Sequence, residues 1–165
     1  MAVIPERIQP NADPDKAGEN HTPIMREFVP SINWSDLSQL DHFVQFYETD
    51  DFLLDAVSDF IGAGLGSGAA CIVIATPEHR EALVQRLQAN NLDPSSSHAQ
   101  SKYFALDAAE TLSQFLLNGL PDPKQFVRVI SGVIEHAVKG QKRMRIFGEM
   151  VTLLWQQGDQ EAALH

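Results

Sequence analysis

The stretch AACIVIAT at residues 69–76, followed by Pro77, decides the fold class of this chain. It is apolar up to its final threonine, which is typical of a strand that is buried on both faces of a parallel sheet. Thr76 and Pro77 then indicate a helix start, because threonine caps helix N-termini and proline is tolerated at the first helical position. The stretch therefore predicts a buried strand that runs directly into a helix.

Strand and helix patterns alternate on both sides of this stretch. Strand composition recurs at 42–47 (HFVQFY), 103–106 (YFAL) and 144–147 (MRIF). Helices are predicted over 52–61, 76–90, 107–119, 122–140 and 150–157, with Asp107 and Glu110 forming a capping box. This order predicts an α/β domain, a three-layer sandwich whose mostly parallel sheet is covered on both faces.

Length and composition set the domain organisation and exclude some functions. The 165 residues suit one domain, with the folded domain at 39–165. Residues 1–38 are expected to form a flexible, proline-rich leader whose few apolar residues could dock locally. A net charge of −10 argues against nucleic-acid binding. Cys71 has no second cysteine to pair with and is expected in the core. Without a signal peptide or an apolar stretch of membrane-spanning length, the chain is expected to be soluble and cytoplasmic.

The glycines before the central strand are spaced like a nucleotide-binding loop, but the helix and the strand around them come in the wrong order. Gly64, Gly66 and Ala69 fit the spacing of a dinucleotide fingerprint, yet they follow a helix and lead into a strand. We therefore interpret them as a helix stop and a tight turn. A phosphate loop with Gly, Lys and Ser or Thr is absent, and the acidic run at 48–51 (ETDD) would repel a triphosphate. A hard cation on Glu48, Asp50 and Asp51 is an alternative to simple helix capping.

The candidate site residues lie where the predicted strands begin or end. Ligands of parallel sheets bind beyond the carboxyl ends of the strands, where these polar groups would meet over an apolar floor. Glu149 could act as a general base or a metal relay, or could cap the next helix. No complete catalytic set emerges, and no metal or cofactor is predicted. The residues predicted to line a ligand pocket are His42, Tyr47, Glu48, Thr76, His79, Asp107 and Glu149.

Five separated segments resemble the MEDS domain, a sensory domain named for methanogens and methylotrophs. The resemblance covers residues 40–165, and the segments are 42–50 (HFVQFYETD), 60–65 (FIGAGL), 73–79 (VIATPEH), 106–112 (LDAAETL) and 145–151 (RIFGEMV). It implies a fold similar to RecA-like and clock-protein ATPases, with a degenerate phosphate loop and with 145–150 replacing the acidic strand that holds magnesium. The family usually continues into another helix beyond the position of residue 165, so a C-terminal helix is expected to be missing.

The resemblance also implies a role in bacterial or archaeal signalling, beside histidine kinase or DNA-binding regions. The leading hypothesis is a non-catalytic domain that senses a small organic ligand, such as a hydrocarbon derivative, and regulates a kinase or a transcriptional output. Its expected partners are this ligand, a signalling protein and a second copy in a homodimer, with no cofactor, nucleic acid or membrane. The alternatives are a protein-interaction or dimerisation module and a residual nucleotide-binding, ATPase-like domain.

Overall fold

The computed structural model describes residues 2–5, 44–47, 49–96, 99–141, 143–156 and 158. The strands in this part are β1 (Ala2–Pro5), β2 (Val44–Tyr47), β3 (Ala70–Ala75), β4 (Tyr103–Asp107), β5 (Leu116–Leu117), β6 (Leu120–Pro121) and β7 (Met144–Gly148). The helices are α1 (Asp50–Gly66), α2 (Pro77–Ala89), α3 (Ala108–Ser113), α4 (Pro123–Ala137) and α5 (Met150–Gln156). Among the described residues, no helix combines the length and the apolar composition that a membrane span requires.

A five-stranded sheet forms the centre of the fold, with the strand order β2-β1-β7-β3-β4. Neighbouring strands in it are parallel. All six residues of β3 are buried, as expected for a strand with neighbours on both sides and helices on both faces. The register places Ala75 beside Asp107 and Ile74 beside Gly148, so the carboxyl ends of β4, β3 and β7 lie next to one another.

Helices cover both faces of this sheet, which confirms the α/β prediction. On the first face α1 and α2 contribute Leu53, Ile61 and Leu87 to a core that includes Cys71 and Val73 of β3. On the second face the core contains Ala70, Ile72, Ile74, Ile130, Val133, Ile134, Met150 and Leu153, which come from β3, α4 and α5. Alternate residues of β3 thus point to opposite cores, as the pleat of a strand requires.

The strand β1 lies within the predicted N-terminal leader. Ala2–Pro5 pairs in parallel with β2 over its full length and meets β7 at Gly148. The alanine, valine and isoleucine of this segment give it a short apolar stretch with two β-branched residues, which suits a strand inside a sheet. These four residues of the predicted leader thus belong to the sheet. Residues 6–38 lie outside the described part of the chain.

The first helix extends beyond the predicted stop. Gly62, Gly64 and Gly66 lie within α1, whose C-cap is Ser67, and the turn into β3 is made by Gly68 with φ +77°. A Cβ atom on Gly64 would lie 2.6 Å from Cys71 Sγ and 2.8 Å from Arg145 Cδ. Gly64 therefore allows α1 to approach β3 and β7 closely, and its role is packing rather than helix termination.

The third helix is shorter than predicted. It ends at Ser113 instead of Gly119, and the small hairpin of β5 and β6 follows it. Asn118 and Gly119 form the turn with φ values of +54° and +85°. An Asn-Gly pair between short apolar segments is a strong hairpin signal, because both residues accept positive φ. The helix-stop interpretation of Gly119 overlooked it.

Candidate functional site

At the carboxyl ends of the neighbouring strands β3 and β7, the following helices pack on opposite faces of the sheet. The helix that follows β3 (α2) packs on the first face, whereas the helix that follows β7 (α5) packs on the second face. Because β3 and β7 are neighbours, their chains leave this edge toward opposite faces of the sheet, at Thr76 and at Glu149. In open parallel sheets the usual ligand site lies at such a switch point.

A buried carboxylate lies at this switch point. Glu149 follows β7 directly and is only 1% exposed, and its backbone N–H donates to Ile74 O of β3 at 3.1 Å. Its side-chain Oε1 accepts a hydrogen bond from the backbone N–H of Thr76. Its Oε2 lies 2.7 Å from Nδ1 of His79. One side chain thus joins the end of β7 to the end of β3 and to the first turn of α2.

The start of α2 positions His79 for this contact. Thr76 caps the helix as predicted, and its Oγ1 accepts the backbone N–H of His79 at 3.3 Å. The second ring nitrogen, Nε2, lies 3.7 Å from Oδ1 of the exposed Asp50 at the start of α1. The hydrogen bond to Glu149 raises the pKa of His79, partial burial opposes the rise, and the charges of Glu149 and Asp50 add to it. The imidazolium form is therefore stabilised between two carboxylates.

Tyr47 at the end of β2 lies near the same carboxylate. It is 6% exposed, and its pKa is raised to about 12, first by burial and then by the negative charges of Glu149 and Asp50. A side-chain hydrogen bond with Thr152 of α5 acts in the opposite direction. The phenol thus stays protonated. Tyr47, Thr76, His79 and Glu149 form what we call the edge cluster, which draws on four elements of the fold.

Asp107 lies at the same sheet edge but has other partners. Its Oδ1 accepts the backbone N–H of Glu110 at 3.0 Å and so caps α3, as the capping box predicted. Its Oδ2 pairs with Nη2 of Arg80 at 3.1 Å. The remaining predicted site residues, His42 and Glu48, lie outside the described residues.

The structure adds residues that the sequence did not single out for the site. The sequence predicts Asp50 only as a capping residue or a cation ligand, and it indicates no role for Arg80 or Thr152. Asp51 pairs with Arg86 at 2.7 Å, which accounts for one of the acidic residues at the start of α1. Within the described ranges, no group of three or more His, Cys, Asp or Glu side chains is placed to hold a metal ion.

Cys71 lies in the core of the first face, as predicted. It is fully buried, its Sγ donates to Ile61 O at 3.6 Å, and burial raises its pKa to about 12. A thiol with such a pKa carries almost no thiolate at neutral pH and is a poor nucleophile.

A separate pocket lies at the opposite edge of the sheet, near the amino ends of β3 and β4. Its volume is about 140 Å³, and it was not predicted from the sequence. It lies where α1 and α2 end and the loop toward β4 begins. Its lining residues are Leu65, Asn91, Leu92, Asp93, Ser96, Ala99 and Lys102.

Fold and site together define a parallel α/β domain with a buried carboxylate–histidine pair at its switch point. The chain belongs to the MEDS family: the family described as the methanogen/methylotroph, DcmR sensory domain matches residues 41–165. This match confirms the family membership predicted from the five segments. The curated proteins contain no match to the chain. The solved structures contain none either.

Proposed function

We propose that this sensory domain is a non-catalytic module that binds a small organic ligand at the edge cluster. The observation that carries the proposal is the carboxylate of Glu149, which is buried at the switch point of the sheet and joins α2, His79 and the ends of two strands. Burying a carboxylate is costly unless it is paired, so such a group at a ligand edge is more typical of a functional site than of a core.

The charges of the edge cluster favour an uncharged ligand. In nucleotide-binding sheets a phosphate accepts hydrogen bonds from a helix N-terminus at this position, but here Glu149 accepts the N–H of Thr76. A ligand phosphate would also meet Asp50, which lies 3.7 Å from His79. A hydrocarbon derivative with one hydroxyl or carbonyl group would avoid this repulsion, and its polar group could bond to His79 or Tyr47. The family resemblance supports the same ligand class.

The contacts of Glu149 also suggest how binding would reach an output. A ligand that draws the His79 ring away from Glu149 would loosen the connection between α2 and the β7–α5 corner. The two sides of the sheet could then shift relative to each other, which a kinase or a transcription factor in the cytoplasm would detect. The RecA-like topology remains part of this proposal and rests on the resemblance alone.

Isothermal titration against a panel of short-chain alcohols, aldehydes, amines and halogenated hydrocarbons, with ATP included, tests the proposal. We expect at least one uncharged compound to bind, and we expect His79→Gln to raise the dissociation constant of that compound at least tenfold. His136→Gln is the matched control, because His136 is exposed on α4. Ser96→Trp, which fills the pocket at the opposite edge, should leave the binding unchanged. Binding that survives His79→Gln but is lost in Ser96→Trp would place the ligand at that pocket and contradict the proposal.

A protein-interaction module is the second candidate. Leu117 and Leu120 of the hairpin and Phe126 and Val127 of α4 are 41–61% exposed, which is unusual for large apolar side chains so close together in sequence. If the chain is such a module, no compound of the panel should bind.

Residual nucleotide binding is the remaining alternative. It would be favoured if ATP binds the wild-type chain and if Glu149→Gln lowers the affinity for ATP.

A further inference from the structure

Among the described strands, β4 forms one margin of the sheet, and no strand of this part of the chain pairs with its outer edge. Cys71 N donates to Lys102 O at 2.6 Å, and the parallel register then turns the backbone groups of Phe104 and Leu106 toward β3. Those of Tyr103, Ala105 and Asp107 therefore face outward. The N–H of Tyr103 donates to Ala99 O, and the carbonyl of Asp107 accepts the hydroxyl of Thr111. Among the described residues, none bonds to the N–H or the carbonyl of Ala105, whose side chain is exposed.

The middle of this edge lacks three of the features that usually prevent strands from pairing with other chains. Such features are proline, a bulge, or a charged side chain in the middle of the strand. The five residues YFALD contain no proline and no glycine, and their central residue is a small alanine. The charge at the end of the strand is neutralised, because Asp107 pairs with Arg80 at 3.1 Å.

We propose that β4 pairs in an antiparallel manner with β4 of a second copy of this chain, across a two-fold axis at Ala105. The two Ala105 residues would then exchange both of their outward backbone hydrogen bonds. The same register places Phe104 opposite Leu106 of the second copy on the second face, where both are half-buried. It places Tyr103 opposite Asp107 of the second copy, so that the two acidic groups do not face each other. The edge is thus complementary to itself, as a two-fold interface requires.

The pairing does not rest on the proposed sensing function, and its test needs no ligand. Sedimentation equilibrium of the full chain should give twice the monomer mass, and the dimer should strengthen with salt, because each copy carries a net charge of −10. Ala105→Pro and Ala105→Lys should both give monomers. The proline removes only an outward N–H, so the pairing with β3 should survive, and circular dichroism checks the fold. Ala89→Lys, at an exposed alanine of α2, is the matched control and should stay dimeric.

Cross-linking tests the register itself. In a hydrogen-bonded antiparallel pair the opposing Cα atoms lie about 5.5 Å apart, a distance that a disulfide can span. Ala105→Cys should therefore form a disulfide-linked dimer under mild oxidation, whereas Ala89→Cys should not. A monomeric wild-type chain, Ala105 variants as dimeric as the wild type, or the absence of a cross-link in a stable dimer would each overturn the proposal.

Discussion

Nδ1 of His79 lies 2.7 Å from Oε2 of Glu149, although 70 positions separate the two residues in the sequence. The contact forms because β3 and β7 are neighbours in the sheet, and each residue lies just beyond the carboxyl end of one of them. Glu149 also accepts the N–H of Thr76, so the carboxylate bonds to two groups in the first turn of the same helix. The stability of this corner of the fold should therefore depend on both side chains.

The protonation of His79 should make the stability of the domain depend on pH. The pKa of His79 in the folded protein is raised from 6.5, chiefly by the hydrogen bond to Glu149. The stabilisation of the folded domain by the imidazolium is thus fully present below pH 6.5 and is lost as the pH rises through the raised pKa of His79. Urea denaturation across this pH range should show that the free energy of unfolding declines as the pH rises. His79→Gln should remove this decline, and His136→Gln should leave it in place. An unchanged decline in His79→Gln would refute the assignment.

Removal of the Glu149 carboxylate should destabilise the domain. Glu149→Ala leaves His79 and the partly buried N–H of Thr76 without their acceptor, and we expect a loss of about 3 kcal/mol in the free energy of unfolding. Glu149→Gln keeps an acceptor oxygen and should lose less. Glu135→Ala, an exposed position on α4, is the control and should change the free energy little. Equal effects of Glu149→Ala and Glu135→Ala would show that the carboxylate does not stabilise this corner.

Gly64 should not tolerate even a methyl group. The added Cβ would lie 2.6 Å from Cys71 Sγ, so Gly64→Ala must displace α1 or the side chains of Cys71 and Arg145, at a cost of about 1 to 3 kcal/mol. Gly132 lies in the exposed middle of α4, and a Cβ atom added there would have no neighbour within 4 Å. Gly132→Ala should therefore stabilise the folded domain by up to about 1 kcal/mol. Thermal denaturation of the two variants should therefore give shifts of opposite sign. Two shifts of the same sign would contradict the packing described for α1.

Cys71 should react with thiol reagents only when the domain unfolds. Its full burial and its pKa of about 12 keep it protonated and inaccessible. Labelling with a chromogenic disulfide should be slow for the native chain and fast in urea. An Ala89→Cys variant should give one fast equivalent under native conditions. Fast native labelling of the wild-type chain would contradict the placement of Cys71 in the core.

The parts of the fold that the sequence predicted are those with local causes. Three helices begin through contacts within a few residues, at Thr76 with Pro77, at Asp107 and at Asp122. The residue types at these positions were therefore sufficient to predict the helix starts. The apolar stretch at 69–76 likewise identified a strand that is buried on both faces.

The failures have non-local causes. The packing role of Gly64 depends on Cys71 and Arg145. The strand β1 likewise depends on pairing with β2 and β7, which come much later in the sequence. Four of the seven predicted site residues are brought together in the edge cluster, since strand ends share one edge of a parallel sheet. Their pairing depends on strand order, which the sequence did not reveal. Asp107 for this reason pairs with Arg80 and not with Glu149.

The most direct test of the central claim is to map ligand-induced amide shifts by NMR on the full chain. A compound that binds in the titration panel should shift the amide signals of Thr76 and His79, at the start of α2, and of Glu149, at the end of β7. The signals of Leu92, Ser96 and Ala99 at the opposite edge should stay in place. Shifts concentrated on that second group, with none at the edge cluster, would contradict the account.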